Sequence, residues 1–197
     1  MTRFIETTLV SSTGNIKKLP PPTLPEVAFA GRSNVGKSSL LNAISNRKNL
    51  FKVSKSPGRT RTIIHVKGRL DKGAEIYLVD LPGFGYAKVS KGMTNAWATT
   101  IEGYLKERTT LHMVCILVDI RRGLQDEERE LCSFLAQLSV PSLLIATKLD
   151  RVPKNKQGGL LEKLKRESGT DVLGTSSTTK DGIDRVCRTI ATACGYP

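Results

Sequence analysis

The sequence predicts an α/β fold: a doubly wound, mostly parallel six-stranded sheet with one antiparallel strand and helices on both faces. Its short apolar runs are continuous rather than alternating, as in strands that are covered on both faces. Amphipathic stretches of helical length separate most of these runs, which is typical of βαβ units. The segment KGRLDKGAE, residues 67–75, is too short for a crossover helix and therefore predicts one antiparallel hairpin.

The predicted elements follow one another without a break in composition. We expect strands at Glu26–Ala30, Thr62–Lys67, Glu75–Asp80, His112–Asp119, Ser142–Thr147 and Asp171–Thr175. We expect helices at Lys37–Ser45, Thr94–Lys106, Asp126–Leu138, Lys156–Glu167 and Ile183–Ala193. Because no repeat, low-complexity tract or linker divides them, residues 25–197 are predicted to form a single domain. Residues 1–24 are predicted to be a proline-containing N-terminal extension.

The composition favours a soluble protein of the cytoplasm. No apolar run approaches the roughly 20 residues that cross a bilayer, and the N-terminus lacks the features of a signal peptide. The four cysteines form no CxxC pair and lie mostly inside apolar segments, where a thiol behaves as a small hydrophobe. We therefore expect a reducing compartment and no membrane partner.

The charge balance indicates a polyanionic partner. The chain carries 31 Lys and Arg against 18 Asp and Glu, a formal net charge of +13. The alternative is a solvated basic surface without a partner, since charge alone confers no specificity. His65 and His112 have no second ligand at metal spacing and are predicted to be ordinary packed or surface histidines.

A phosphate-binding loop follows the first predicted strand. The pattern GxxxxGK[ST] lies between the strand VAFA and the helix SLLNAI, and it is formed by Gly31, Arg32, Ser33, Asn34, Val35, Gly36, Lys37 and Ser38. Glycines let the backbone approach the phosphates, and the helix N-terminus presents positive potential. Lys37 would reach the β and γ phosphates, the Ser38 hydroxyl would bind magnesium, and Ser39 completes the predicted contacts.

A second motif, DLPG, closes another predicted strand. Asp80 would hold the magnesium ion through water, and the amide of Gly83 would meet the γ phosphate, with Leu81 and Pro82 between them. A strand that ends in Asp before a Pro-Gly turn is common, so this motif alone would be weak support.

A third motif, TKLD, predicts that the base is guanine. The Asp150 carboxylate can accept hydrogen bonds from N1–H and the exocyclic amine of guanine, a donor pair that adenine lacks. The methylenes of Lys148 can cover the ring. Thr147 stands where small GTPases usually have Asn, which predicts a moderate affinity. The remaining predicted base contacts are Leu149 and a backbone amide of the turn Thr175, Ser176 and Ser177.

Together these motifs make the chain resemble the EngB family, also called YihA or YsxC. The resemblance rests on GRSNVGKSSLLNAI, SKSPGRTRT, DLPGFGYAKVS, TKLD and the proline-containing N-terminus. It implies a P-loop GTPase of bacteria that binds GTP or GDP with Mg²⁺. It also implies a role in assembly of the large ribosomal subunit, with ribosomal RNA as partner, and a need for the protein in normal cell division and septation. We expect a monomer without a DNA partner.

The resemblance assigns further residues near the nucleotide. Thr60 in PGRT would be the switch I threonine that binds magnesium in the GTP state, among the predicted contacts Gly58, Arg59, Thr60, Arg61 and Thr62. Thr62 is the alternative ligand, but it begins the β-branched run TIIHV and is better interpreted as strand. The family usually carries Gln or a similar residue at Arg61, so the role of that side chain stays open.

The catalytic set predicted from these motifs is Lys37, Thr60 and Gly83 with magnesium, which neutralise charge on the transferred phosphoryl group. Phe84 occupies the position where Ras-like proteins have the Gln that orients water, so we expect slow intrinsic hydrolysis. Asn34 resembles the P-loop asparagine that coordinates K⁺ in related GTPases. Alternatively, Asn34 only shapes the loop, since Asn tolerates unusual backbone angles.

Two other classes of protein remain as alternatives. A P-loop kinase or ATPase would need an adenine pocket, and Asp150 argues against one. An RNA-binding module regulated by nucleotide, with little GTPase activity, would fit slow turnover and the net charge of +13. If the chain binds RNA, whether as a GTPase switch or as a binding module, the basic residues of the switch segments would face the RNA. They are Lys52, Lys55, Arg59, Arg61, Lys88 and Lys91.

Overall fold

The computed structural model describes residues 2–51, 62–83 and 91–196, and of residues 91–98 it describes the backbone alone. The strands are β1 (Phe4–Thr13), β2 (Glu26–Gly31), β3 (Ile63–Leu70), β4 (Glu75–Asp80), β5 (Leu111–Asp119), β6 (Ser142–Thr147) and β7 (Asp171–Gly174). The α-helices are α1 (Lys37–Ile44), α2 (Lys91–Glu107), α3 (Asp126–Gln137), α4 (Lys154–Ser168) and α5 (Ile183–Ala193). Two short 3-10 helices, Ile16–Lys18 and Leu149–Arg151, complete the described elements.

The described strands form one seven-stranded sheet in the order β1-β3-β4-β2-β5-β6-β7. Strand β3 runs antiparallel to both of its neighbours, and all other pairs are parallel. The predicted fold class and the hairpin that joins β3 to β4 are therefore confirmed. The predicted count of six strands is wrong, because β1 adds a seventh at the edge of the sheet.

Strand β1 lies inside the segment predicted to be an N-terminal extension. It pairs with β3 from Phe4 opposite Leu70 to Thr13 opposite Ile63. The Phe4 ring is buried against Gly68, where an added Cβ would lie 2.6 Å from Cδ1 of Phe4. Thus β1 is held by tertiary pairing and one buried aromatic ring, which hydropathy alone does not indicate. The division of the chain at residue 24 stays a prediction.

Helices cover both faces of the sheet, as predicted. One core cluster joins α1 and α5 to one face and includes Phe29, Leu41 and Ile190. The other joins α2, α3 and α4 to the opposite face and includes Tyr104 and Leu135. Adjacent residues of β2 alternate between the two clusters, as the two-residue period of a strand requires. No helix in the described ranges is both long and apolar enough to span a membrane.

The parallel strands place their carboxyl ends along one edge of the sheet. The chain reverses direction after Gly31, Asp80, Asp119 and Thr147, which end β2, β4, β5 and β6. Ligands of doubly wound sheets bind at this edge. Three of the four residues belong to the predicted nucleotide motifs, so the fold brings those motifs together.

Candidate nucleotide-binding site

The predicted phosphate-binding loop joins β2 to α1 in a conformation that needs its glycine. Gly36 precedes the helix with φ of 110°, a left-handed conformation that residues with a side chain rarely adopt. Asn34 is also left-handed, with φ of 64°, and the amide of Val35 donates to the carbonyl of Arg32 at 3.1 Å. Gly31 is packed tightly, since an added Cβ would lie 3.0 Å from Val35 and 3.1 Å from Leu117. The loop therefore curls tightly at the amino end of α1.

Lys37 and Asp80 join the first and second motifs directly. Lys37 lies in the first turn of α1 with Ser38 and Ser39, and its ammonium donates a hydrogen bond to the Asp80 carboxylate in a largely buried ion pair. Burial raises the pKa of the Asp80 carboxyl, and the Lys37 charge opposes that rise. The site thus holds a cation and an anion out of water at the end of two neighbouring strands.

The glycine of DLPG lies against the phosphate-binding loop. A Cβ added to Gly83 would lie 3.1 Å from Oγ of Ser33 and 3.3 Å from the carbonyl oxygen of Gly31. The preceding residues are fixed to β2, because the amide of Leu81 donates to the carbonyl of Phe29 at 3.0 Å. Pro82 is the remaining residue of this turn. A side chain at position 83 would therefore push the two motifs apart.

Arg32 is held away from the loop by an ion pair with α3. Its guanidinium lies 2.9 Å from Oε2 of Glu127, and both side chains are partly exposed. The predicted nucleotide contact of Arg32 is therefore confined to its backbone in this conformation.

Thr147 ties the TKLD motif to the phosphate-binding loop. Its hydroxyl donates to the carbonyl oxygen of Val35 at 2.7 Å and lies 3.2 Å from that of Val118. The residue is buried, with 4% of its surface exposed. The hydroxyl is thus used inside the protein, where it links the end of β6 to the phosphate-binding loop.

Lys148 extends from the end of β6 across the phosphate-binding loop. Its backbone is left-handed, with φ of 61°, a conformation that is strained for a residue with a side chain. The ammonium donates to the carbonyl of Asn34 at 2.8 Å. Cε of Lys148 would lie 4.0 Å from a Cβ added to Gly36. The aliphatic stem therefore runs over the loop, as a platform for a base requires.

Asp150 is oriented by the turn that follows β7. The Ser176 hydroxyl donates to Oδ1 of Asp150 at 2.6 Å, and the Arg151 guanidinium lies 3.3 Å from Oδ2. Leu149 is buried, and its amide donates to the carbonyl of Thr175 at 3.0 Å. The TKLD motif and the turn after β7 are therefore in direct contact.

The turn Thr175, Ser176 and Ser177 was predicted to offer one backbone amide to the base. The amide of Thr175 donates to Ala146 at 2.8 Å, and that of Ser176 donates to Asp181 at 3.0 Å. Both amides are therefore used within the protein. Ser177 supplies the remaining amide of the three.

Some predicted site residues lie outside the described ranges or away from the loop. Gly58, Arg59, Thr60, Arg61 and Phe84 lie outside the residues that the structure describes, as do Lys52, Lys55 and Lys88, and for Lys91 the side chain does. Thr62 precedes β3 by one residue, so the predicted strand start is wrong by one position. The Thr62 hydroxyl accepts a hydrogen bond from Ser12 of β1 at 3.1 Å, which directs the side chain toward the sheet edge.

Two residues of the site were not predicted. Asp119 ends β5 beside Lys148, and Arg121 follows it in the next turn. An acid at the carboxyl end of a buried parallel strand was the available signal. No pattern in the sequence indicates that the partner of Asp119 is a lysine of another motif.

Comparison with known proteins shows that the chain is similar in sequence to GTP-binding proteins. The family model described as 50S ribosome-binding GTPase matches residues 26–148. A probable GTP-binding protein EngB of Solibacter usitatus is 40% identical over 183 residues, which is 93% of each chain. Another, from Syntrophotalea carbinolica, is 45% identical over 150 residues, covering 76% of this chain and 70% of the relative.

Solved structures give the same fold. A crystal structure of a probable GTP-binding protein engB superposes with a TM-score of 0.70 at 22% identity, over 86% of this chain and 98% of that one. Era, in complex with MgGDPNP and nucleotides of 16S ribosomal RNA, superposes with a TM-score of 0.73 at 23% identity, over 86% of this chain and 56% of that one. At these identities the likeness concerns the fold alone.

Proposed function

Because the chain belongs to the EngB family of GTP-binding proteins and is a GTPase, we propose that it is a slow, magnesium-dependent switch that acts in assembly of the large ribosomal subunit. The observation that carries this proposal is the meeting of three motifs at one sheet edge: Lys37 bonds Asp80, Thr147 bonds Val35, and Asp150 is held by Ser176. A net charge of +13 supports a partner rich in phosphate.

The residues present fit a magnesium ion. Ser38 offers a hydroxyl next to Lys37, and Asp80 offers a carboxylate, and such oxygen donors are the ligands that Mg²⁺ prefers. Thr60, outside the described ranges, would complete the set in the GTP state. When bound, the ion would neutralise charge on the phosphate oxygens. Ser38, Asp80 and Thr60 would hold it.

The protein residues would act on the phosphates by position and charge. On GTP binding, Lys37 would exchange part of its contact with Asp80 for the β and γ oxygens, while the amides of the phosphate-binding loop bind the same anion. The Gly83 amide would meet the γ phosphate and bring its segment to the loop. This movement would couple the presence of the γ phosphate to the switch segments.

The base would be guanine, lying on the stem of Lys148 with its N1 and N2 donors on Asp150. The amide of Ser177 would contact the guanine oxygen. Hydrolysis would be slow because Phe84 cannot orient a water. If Asn34 coordinates K⁺, turnover should rise in potassium relative to sodium at equal ionic strength, and Asn34→Ala should abolish that rise; equal rates in both salts would exclude the role.

We place the protein in the cytoplasm as a monomer, with ribosomal RNA of the large subunit as its partner. In this scheme, ordering of the switch segments by GTP fixes a set of cations that match RNA phosphates. Impaired subunit assembly would then account for a requirement in cell division and septation. The second candidate, an RNA-binding module with little GTPase activity, is favoured only by the charge excess.

Sedimentation with purified ribosomal subunits tests the proposal. With a non-hydrolysable GTP analogue, the protein should travel with the large subunit, dissociate as salt is raised, and travel less with GDP. Lys88→Ala with Lys91→Ala should weaken this association. The matched control is Lys163→Ala with Lys165→Ala, which removes the same charge from α4, where both lysines are paired with acids.

Preference for the small subunit would contradict the proposal. Salt-sensitive binding that is equal with GDP and the GTP analogue would favour the RNA-binding module instead. Depletion of the protein in cells, followed by ribosome profiles and microscopy of septa, tests the assembly and division roles together. Normal subunit levels alongside a septation defect would separate the two roles.

A further inference from the structure

Asp119 occupies the carboxyl end of β5, between the strand that carries the phosphate-binding loop and the strand that carries TKLD. Its side chain is 7% exposed, and both carboxylate oxygens are engaged. Oδ1 accepts from the backbone amide of Arg121 at 3.1 Å and from its Nε at 3.0 Å. Oδ2 accepts from the Arg121 terminal nitrogen at 2.7 Å and lies 3.0 Å from Nζ of Lys148.

The same lysine nitrogen is bonded on its other side. Nζ of Lys148 donates to the carbonyl of Asn34 at 2.8 Å, so the ammonium lies between β5 and the phosphate-binding loop. A lysine side chain has four rotatable bonds and loses conformational entropy when it is fixed. Two anchors at its tip offset this cost in advance. The aliphatic stem between the Lys148 backbone and its anchored tip is therefore ordered before a base binds.

Arg121 keeps the anchor charged. Although burial favours the neutral acid, the hydrogen bonds from Arg121 and Lys148 hold the pKa of the Asp119 carboxyl well below its usual range. Arg121 is half-exposed and reaches Asp119 from the solvent side. Asp119 can therefore remain an anion throughout the physiological pH range and attract Lys148 continuously.

We propose that Asp119 is a positioning residue for guanine recognition, which fixes the Lys148 stem as a flat platform under the base. This inference rests on the proposed guanine site and adds a residue that belongs to none of its motifs. The competing explanation is an ion pair that only joins β5 to β6. The two explanations differ in whether the effect of Asp119 on nucleotide binding passes through Lys148.

A double-mutant cycle separates them. Asp119→Asn should weaken GDP binding about tenfold, the effect of losing a charged hydrogen bond. It should raise the KM for GTP by a similar factor with kcat changed less than about twofold, because the base contact is the same in the ground state and the transition state. Lys148→Ala should weaken GDP binding as well. The double variant should be no weaker than Lys148→Ala alone.

Asp171→Asn is the matched control. Asp171 begins β7 and pairs with Lys165 at 3.1 Å, so the variant also removes one carboxylate from a lysine pair. Its affinity for GDP should equal that of the wild type. Fluorescent GDP displacement gives the affinities, and thermal unfolding of each variant checks the fold.

Each outcome has a distinct meaning. If Lys148→Ala binds GDP as well as the wild type, the proposed base site itself is wrong. If Lys148→Ala binds GDP weakly but Asp119→Asn binds it as well as the wild type, only the role of Asp119 is wrong. The same holds if the losses of GDP affinity in the two single variants add up in the double variant. If Asp119→Asn does not fold, ¹⁵N NMR of the wild-type GDP complex tests whether Lys148 is anchored as the proposal requires: Lys148, assigned by Lys148→Arg, should show a slowly exchanging ammonium. Exchange as fast as that of exposed Lys163 would overturn the proposal.

Discussion

At the scale of single residues, Thr147 has a different task from the one its position in TKLD suggests. Asn at this position would offer a side-chain amide, and Thr147 has only a hydroxyl to take its place at the base. Instead the hydroxyl bonds the Val35 carbonyl inside the phosphate-binding loop. The hydroxyl therefore links the phosphate-binding loop to the end of β6.

Thr147→Val should weaken this link while keeping the shape of the side chain. We expect a loss of about 1 kcal/mol in the free energy of unfolding and a several-fold loss of GDP affinity, because the Val35 carbonyl loses its donor. Urea unfolding and fluorescent GDP titration measure the two quantities. Thr170→Val is the control, since the Thr170 hydroxyl donates to Ser142 at 2.6 Å at the other end of β6. An unchanged GDP affinity in Thr147→Val would show that the link is irrelevant to binding.

The site residues that were easiest to predict from the sequence belong to motifs of consecutive residues. The phosphate-binding loop and TKLD each lie within eight consecutive residues, and the fold brings both to the same edge of the sheet. Asp119 was missed because its partner Lys148 lies on another strand, and no spacing rule relates the two. The use of the Ser176 hydroxyl to orient Asp150 was missed for the same reason.

At the scale of elements, hydropathy predicted strands that are buried on both faces and failed for β1. The strand FIETTLVSST is half polar, and Ile5, Leu9 and Val10 remain exposed on it. Its stability comes from pairing with β3, a partner 50 to 66 residues away in sequence. Such an edge strand has no periodic signal of its own. The boundaries of the predicted helices moved by at most three residues.

Helix α4 offers a direct test of how helix propensity contributes to the stability of the protein. Gly158 and Gly159 lie exposed in its middle, and a Cβ added to either meets nothing within 4 Å. Each Gly→Ala substitution should therefore stabilise the protein by about 1 kcal/mol in urea unfolding. Gly182→Ala is the contrast: φ is 75° and the added Cβ would clash with the Gly174 carbonyl, so this change should destabilise. A loss of stability in Gly158→Ala would contradict the described packing of α4.

At the scale of the whole molecule, a buried carboxylate joins distant parts of the fold at the end opposite the nucleotide motifs. Glu26 at the start of β2 accepts hydrogen bonds from the Tyr104 hydroxyl at 2.8 Å, Nε of Arg108 at 2.8 Å and the Thr110 hydroxyl at 3.0 Å. His65 of β3 lies 3.5 Å away. The donors are far apart in sequence, so this cluster could not be predicted from the chain.

Glu26 should make the stability depend on acid pH. Burial alone would raise the pKa of its carboxyl, but His65, Arg108 and Tyr104 lower it from 4.5 to about 2. Because the folded-state pKa is depressed, the stabilisation is complete above pH 4.5 and is lost as the pH falls toward 2, a difference of about 3 kcal/mol. Glu26→Gln should be less stable at pH 7 and lose less stability between pH 5 and 2.

Urea unfolding as a function of pH measures this dependence. Glu75, which is partly exposed and paired with Lys67 at 3.0 Å, supplies the control variant Glu75→Gln, which should follow the wild-type profile closely. A wild-type profile in Glu26→Gln would show that the buried cluster does not respond to acid.

The most direct test of the account concerns the base, because all of the proposed switching depends on guanine recognition by Asp150. In competition with fluorescent GDP, GDP and GTP should displace the probe at far lower concentrations than ADP and ATP. Asp150→Asn should weaken guanine nucleotides and improve xanthine nucleotides, whose 2-oxo group accepts from the new amide. Equal competition by ATP, or an Asp150→Asn variant that keeps the wild-type preference for GDP over XDP, would contradict it.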